Sequence, residues 1–288
     1  MGENALTVRG LCKSYKDFSL KEISFTLPKG YIMGYVGRNG AGKTTTLGMI
    51  AHLIKADGGV CTIDGINYKE QPVAYKEAIG YIGDSDGFMP DFKLKHIRTV
   101  CRDFYPTFRE QEFDAYMKKW KLPENKKIKE FSRGMKVKLM FAMALCRDTK
   151  LLILDEATNG LDPMVRQEIL EILQEYIADG ERSVLFSTHI LSDLEQIADY
   201  VFFIHNGAKV FCETKEELQE EYMIVKGGRE DLDGKARKYM IGLKETGVGF
   251  EAVIKSDDAA YLSRECVFEK PSIDNIVIHM IREMEEAQ

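Results

Sequence analysis

GYVGRNGAGKTTTLGMI, residues 34–50, follows an apolar run and passes into a helix-like one. Residues 37–44 fit the pattern G-x-x-x-x-G-K-[ST]. In such a loop glycines let the backbone curl until its N–H groups face phosphate oxygens. A helix starting near Gly42 adds the positive end of its dipole to the same place. Gly37, Arg38, Asn39, Gly40, Ala41, Gly42, Lys43, Thr44 and Thr45 are therefore the expected phosphate contacts. Lys43 can reach the β- and γ-phosphates of a nucleotide, and the Thr44 hydroxyl can ligate Mg²⁺. A strand before this loop and a helix after it imply an α/β fold.

The second half of the site is expected in LLILDEATNGLDP, residues 151–163. Four apolar residues read as a buried parallel strand, and two carboxylates follow at the end where α/β sheets bind ligands. Asp155 is expected to hold Mg²⁺, and Glu156 to polarise the water that attacks the γ-phosphate. SVLFSTH, residues 183–189, is a second apolar strand, and it places His189 toward the γ-phosphate edge.

Further out, strands are expected over 5–36 and 60–65, and mostly helix from about 85 to 148, punctuated by Pro90, Pro106 and Pro123. YVFFIHNGAKVF, residues 200–211, carries the Asn-Gly signal of a hairpin. Past about 213 the text changes: a polar helix, strands near EYMIVKGG and GVGFEAVIKS, then a terminal helix capped by Ser272. These boundaries predict a main domain over 1–212 and a small α+β appendage over 213–288.

Composition narrows the function. The 288 residues are 44% hydrophobic and 30% charged, as in a globular chain with a large core. Forty basic and 46 acidic residues leave a net charge of −6, which argues against a nucleic-acid partner. Six cysteines without a C-x-x-C pair suggest neither zinc nor a disulfide framework. No leader pattern opens the chain, and no apolar run has the roughly 18–20 residues that span a bilayer. A cytoplasmic protein is expected, with any membrane connection made through a partner.

KEFSRGMKVKLMFAMALCRD, residues 129–148, reads as a helix with apolar positions at Met135, Leu139, Ala142, Met143 and Cys146. Its first turn holds Ser132, Arg133 and Gly134, more than a solvated cap needs. With this segment the chain resembles the ATP-binding subunits of ABC transporters over about residues 5–212. The separations fit: 89 residues from Lys43 to Ser132, 23 on to Asp155, and 34 on to His189. The family's LSGGQ signature stands here as FSRGM, keeping Ser132 and Gly134.

The resemblance implies a P-loop NTPase of ABC ATPase type, with an antiparallel β subdomain and a helical subdomain over about 85–148 that docks on a membrane-spanning subunit. It implies a homo- or heterodimer around two ATP molecules with Mg²⁺, in which Ser132 and Gly134 of one subunit meet the γ-phosphate bound by the other. Tyr15 matches the aromatic that stacks on adenine, and Asp162 of NGLD lies near the subunit interface. Asp84 stands where the family has a glutamine; a carboxylate there can approach Mg²⁺ through water but adds negative charge. Arg133 and Met135 are further departures. The RGMK stretch and the tail EKPSIDNIVIHM are similar to the drug- and antibiotic-export (ABC-2 type) branch, on the inner face of the cell membrane. The alternative is a soluble ABC-type ATPase, such as one for iron–sulfur assembly. Ribosome-acting types resemble two fused copies, and DNA-end types need a long coiled coil for which 89 residues leave no room.

Overall fold

The computed structural model describes residues 3–85, 87–232, 234 and 236–286. Near the start, β1 (Asn4–Ser14) and β2 (Ser19–Pro28) form an antiparallel pair, extended by β4 (Gly58–Ile63) and β5 (Ile66–Asn67) in the order β2-β1-β4-β5. A second sheet is built from β3 (Ile32–Val36), β6 (Ile79–Ile82), β7 (Leu151–Asp155), β8 (Ser183–Ser187), β9 (Tyr200–His205) and β10 (Ala208–Thr214). Its order is β10-β9-β3-β8-β7-β6, parallel throughout except for β10. Every residue of β3, β7 and β8 is buried, because parallel strands are covered on both faces.

The two-residue alternation of these strands sorts their side chains into two cores. Leu152, Leu154, Val184 and Phe186 face one, and Leu151, Ile153 and Leu185 face the other. The second core lies against the antiparallel sheet and α1 (Lys43–Ile50). The first is covered by α3 (Leu94–Phe104), α4 (Glu110–Lys119), α5 (Arg133–Leu145) and α6 (Pro163–Ile177), with α7 (Leu191–Ile197). A short α2 (Pro72–Glu77) precedes β6. Asn206 and Gly207 join β9 to β10 at φ 45° and 73°, the positive pair that a tight hairpin needs.

α5 is buried more widely than its expected stripe. Val137, Phe141, Ala144 and Leu145 are buried beside Leu139 and Ala142, while Met135 and Met143 are only partly covered. The cause is its position: α5 touches β6, α4 and α6 together, so no single face is the inner one.

After β10 come α8 (Lys215–Glu221), β11 (Tyr222–Gly227), β12 (Ile241–Glu245), β13 (Phe250–Lys255), β14 (Val267–Glu269) and α9 (Ile273–Glu286). The four strands form a third sheet, β12-β13-β11-β14, with its own small core around Val225, Ala252 and Ile254. α9 does not pack on this sheet alone. Ile273, Ile276, Val277 and Met280, at helical spacing, enter the large core where α9 crosses α7. The Ser272 hydroxyl accepts from Asn275 N–H at 3.1 Å, the expected cap. Near the far end of the helix Glu285 is ion-paired with Arg38. Ile276 is fully buried, so Ile276→Ala removes three carbons from packed surroundings. The expected loss is about 2–4 kcal/mol of unfolding free energy, measured by urea denaturation. A loss below about 1 kcal/mol would detach α9 from the main core.

Candidate functional site

The C-terminal ends of β3, β7 and β8 lie side by side, with Tyr35 and Asp155 both in register with Ser187. The loops that leave these ends therefore meet at one edge of the sheet. The loop after β3 carries residues 37–42 and runs into α1, whose N-cap is Gly42 at φ 109°. No side chain caps this helix and its first turn holds no acid, which leaves its N-terminal dipole uncompensated. At Gly37 a Cβ would lie 2.5 Å from the Ile204 carbonyl oxygen, so only glycine fits.

Lys43 is 4% exposed, and its Nζ donates to the carbonyls of Gly37 at 2.8 Å and Arg38 at 3.3 Å. The same ammonium is 3.4 Å from Glu156 Oε1. The Thr44 hydroxyl donates to Asp155 Oδ1 at 3.2 Å. On the other oxygen of Asp155, the Tyr81 hydroxyl donates at 3.2 Å. Burial is the main influence on the Asp155 carboxyl and pushes its pKa above the ordinary value, against the two hydroxyl bonds.

Glu156 follows Asp155 at φ 55°, a left-handed conformation in which a side chain is uncommon. The Asn159 amide nitrogen donates to Glu156 Oε2 at 2.8 Å and lies 3.2 Å from His189 Nδ1. With the amide as donor in that contact, the ring accepts at Nδ1 and its N–H lies on Nε2. His189 Nδ1 is also 3.7 Å from Glu156 Oε2.

A cavity of about 730 Å³ opens over these groups. The expected residues Tyr15, Asn39, Gly40, Gly42, Lys43, Thr44, Thr45, Asp84, Asp155 and Glu156 all line it. Tyr15 is 47% exposed at its mouth and stacks with Phe18. Six expected contacts are not part of the cavity wall. Gly37 and Arg38 meet Lys43 through their carbonyls, and the Ala41 N–H is spent within the loop on the Arg38 carbonyl at 3.1 Å. His189 stands beside Glu156, 3.7 Å from its Oε2, and is not part of the wall.

Ser132 and Gly134 are also absent from the wall of their own chain's cavity. Ser132 caps α5, its Oγ accepting from Met135 N–H at 3.2 Å, and it is exposed. Arg133 remains exposed but reaches across to the loops after β6 and β7, donating to Asp84 Oδ1 at 2.5 Å and to the Asn159 carbonyl at 2.6 Å. The Asp84 carboxylate is thus engaged by a guanidinium, while the two oxygen groups that meet are those of Thr44 and Asp155. Tyr81 was not legible as a site residue. In IGYI it looks like any strand tyrosine, and only its partner Asp155 marks it.

A family model described as ABC transporter matches residues 20–159. The ABC transporter ATP-binding protein YtrB of Bacillus subtilis is 31% identical over 241 residues, covering 83% of this chain and 82% of that protein. The bacitracin transport ATP-binding protein BcrA of Bacillus licheniformis is 35% identical over 191 residues, covering 66% of this chain and 62% of its own length. Among solved structures, an ATP-binding subunit of an ABC transporter superposes with a TM-score of 0.68 at 28% identity, over 75% of this chain and 92% of that one. With the loop, the paired acids and the sheet order already in place, the chain belongs to the ABC transporter ATP-binding proteins and is an ATPase of that family.

Proposed function

We propose that the chain binds Mg²⁺–ATP in the 730 Å³ cavity and powers export as one half of a dimer docked on a membrane-spanning subunit. The observation that carries the reading is the contact between Thr44 and Asp155, which joins the phosphate loop to the acidic strand end. Their hydroxyl and carboxylate oxygens are the hard donors that Mg²⁺ takes. Magnesium, when bound there, neutralises charge on the phosphate oxygens.

The chain's own groups divide the remaining work. Lys43 exchanges the carbonyls of Gly37 and Arg38 for phosphate oxygens, and Tyr15 offers its exposed face to the adenine. Glu156, held by Asn159, accepts the proton of the attacking water. The Nε2–H of His189 is left to donate toward the γ-phosphate. Ser132 and Gly134 stand away from this cavity, and we assign them to the ATP held by the second subunit. There the Ser132 O–H, whose oxygen already accepts from Met135, serves as a donor. BcrA's name as a bacitracin transport protein and the tail of this chain both support export.

No helix among the described residues is long and apolar enough to cross a membrane, so contact with the bilayer is assigned to a partner. A groove of about 410 Å³ between the loop after α1 and the helical subdomain, lined by Leu53, Phe88, Tyr105, Met140 and Met143, suits a partner helix. Leu53 is 65% exposed on its rim. Tagged protein should therefore retrieve a polytopic membrane protein from detergent-solubilised host membranes. Leu53→Asp should reduce that recovery at least about tenfold, with ATP binding by the isolated chain kept within twofold; an unpaired charge buried in an apolar contact costs more than the roughly 1.4 kcal/mol this represents. Recovery unaffected by Leu53→Asp would remove the groove from the interface.

A further inference from the structure

We propose that Arg133 is a positioning residue of the nucleotide site, neutralising Asp84 on the cavity wall and tying that wall to the start of α5. The inference rests on the reading of the cavity as the ATP site. Two positions where this chain departs from its family's pattern, 49 residues apart in sequence, meet in the fold. The Arg133 guanidinium donates through Nη2 to Asp84 Oδ1 at 2.5 Å and through Nη1 to the Asp84 carbonyl at 3.3 Å. Its Nε donates to the Asn159 carbonyl at 2.6 Å, and the Asn159 amide in turn holds Glu156. One side chain thus joins the loop after β6, the loop after β7 and the first turn of α5.

The physical consequence is electrostatic. Asp84 lines the cavity, so its carboxylate stands on the wall that faces a triphosphate. Unpaired, it repels the phosphates; paired with a guanidinium that stays charged at any working pH, it presents a neutral unit. Both partners are solvent-exposed, with side chains 39% and 66% accessible. Exposed pairs of this kind contribute little to folding, and solvent limits their field to a modest effect. A change in nucleotide affinity without a change in stability is therefore the signature to look for.

The test is a double-mutant cycle on Arg133→Ala and Asp84→Asn, reading the Kd of a fluorescent ATP analogue with Mg²⁺ and the thermal midpoint. Arg133→Ala should weaken binding about fivefold, with the midpoint shifted by no more than a few degrees. Adding Asp84→Asn should return most of that affinity, and Arg133→Lys, which keeps the charge, should lie closer to the parent than Arg133→Ala. Strictly additive losses in the cycle would overturn the proposal, as would parental affinity in Arg133→Ala. Lys43→Ala serves as the reference. If it binds the analogue as well as the parent, the ATP-site reading fails; if it loses binding while Arg133→Ala keeps it, only the role of Arg133 fails.

Discussion

Glu156→Gln is expected to lower ATP turnover by about 10²–10⁴-fold while leaving ATP affinity within a few-fold of the parent. Glutamine keeps the shape and the bond from Asn159 but cannot take a proton from water. The carboxylate is held by two neighbours, the Asn159 amide at 2.8 Å and the Lys43 ammonium at 3.4 Å, on its own left-handed backbone at φ 55°. Affinity is spared because Glu156 repels phosphate rather than binding it, and because its removal frees Lys43. A dimer that closes on ATP and opens on hydrolysis should then accumulate closed, giving a doubled mass by light scattering in ATP. Parental turnover in the variant would take the general-base role away from Glu156 and leave Asp155 or His189 to be tested.

Much of this site was legible before any coordinates, for a specific reason. The phosphate loop and the acids after β7 are short, contiguous stretches whose chemistry depends on local order: glycines that curl, a lysine and a threonine that follow, two carboxylates at a strand end. The same holds for the hairpin at Asn206–Gly207, where two adjacent residues set the turn. What escaped was long-range pairing between residues that look ordinary alone. Tyr81 is a strand tyrosine until β6 places it two strands from β8 and beside Asp155. Asp84 reads in sequence as a substitution that adds negative charge, and Arg133 as a separate departure in the signature, because nothing local shows that they meet.

The region after residue 213 shows the same limit in the fold. Its polar helix and two of its strands follow from pattern, and Thr214 with Glu217 forms a reciprocal cap at the start of α8. β12 and β14 are short, five and three residues, and lack a clean alternation. The attachment of α9 to the large core through Ile276 and Val277 is invisible in sequence, since a helical stripe names the buried face but not what covers it.

The second large effect concerns the start of α5. As a cap alone, Ser132 contributes about 1 kcal/mol of stability, and Ser132→Ala would leave turnover untouched. As the donor to a γ-phosphate held by a second subunit, it loses turnover by about 10²-fold on the same change, comparable to losing one preorganised donor at a reacting charge. Its exposure and its absence from its own cavity favour the second role. Lys43→Ala is expected to disable the other half of the same composite site by removing the ammonium proposed to contact the phosphates. Each variant alone is then expected to be nearly inactive as a homodimer, since both of its sites carry a defect.

Mixing the two inactive variants tests this account most directly. In a mixed dimer one composite site carries both substitutions and the other carries neither. ATP hydrolysis is therefore expected to reappear on mixing Lys43→Ala with Ser132→Ala in equal amounts, to as much as about a quarter of the parent rate, since half the dimers are mixed and each has one intact site of two. The recovered rate should rise steeply with protein concentration, because the site exists only in the dimer. If the mixture stays at the average of its two inactive components while light scattering shows dimers, Ser132 is an ordinary cap and the shared-site account is wrong.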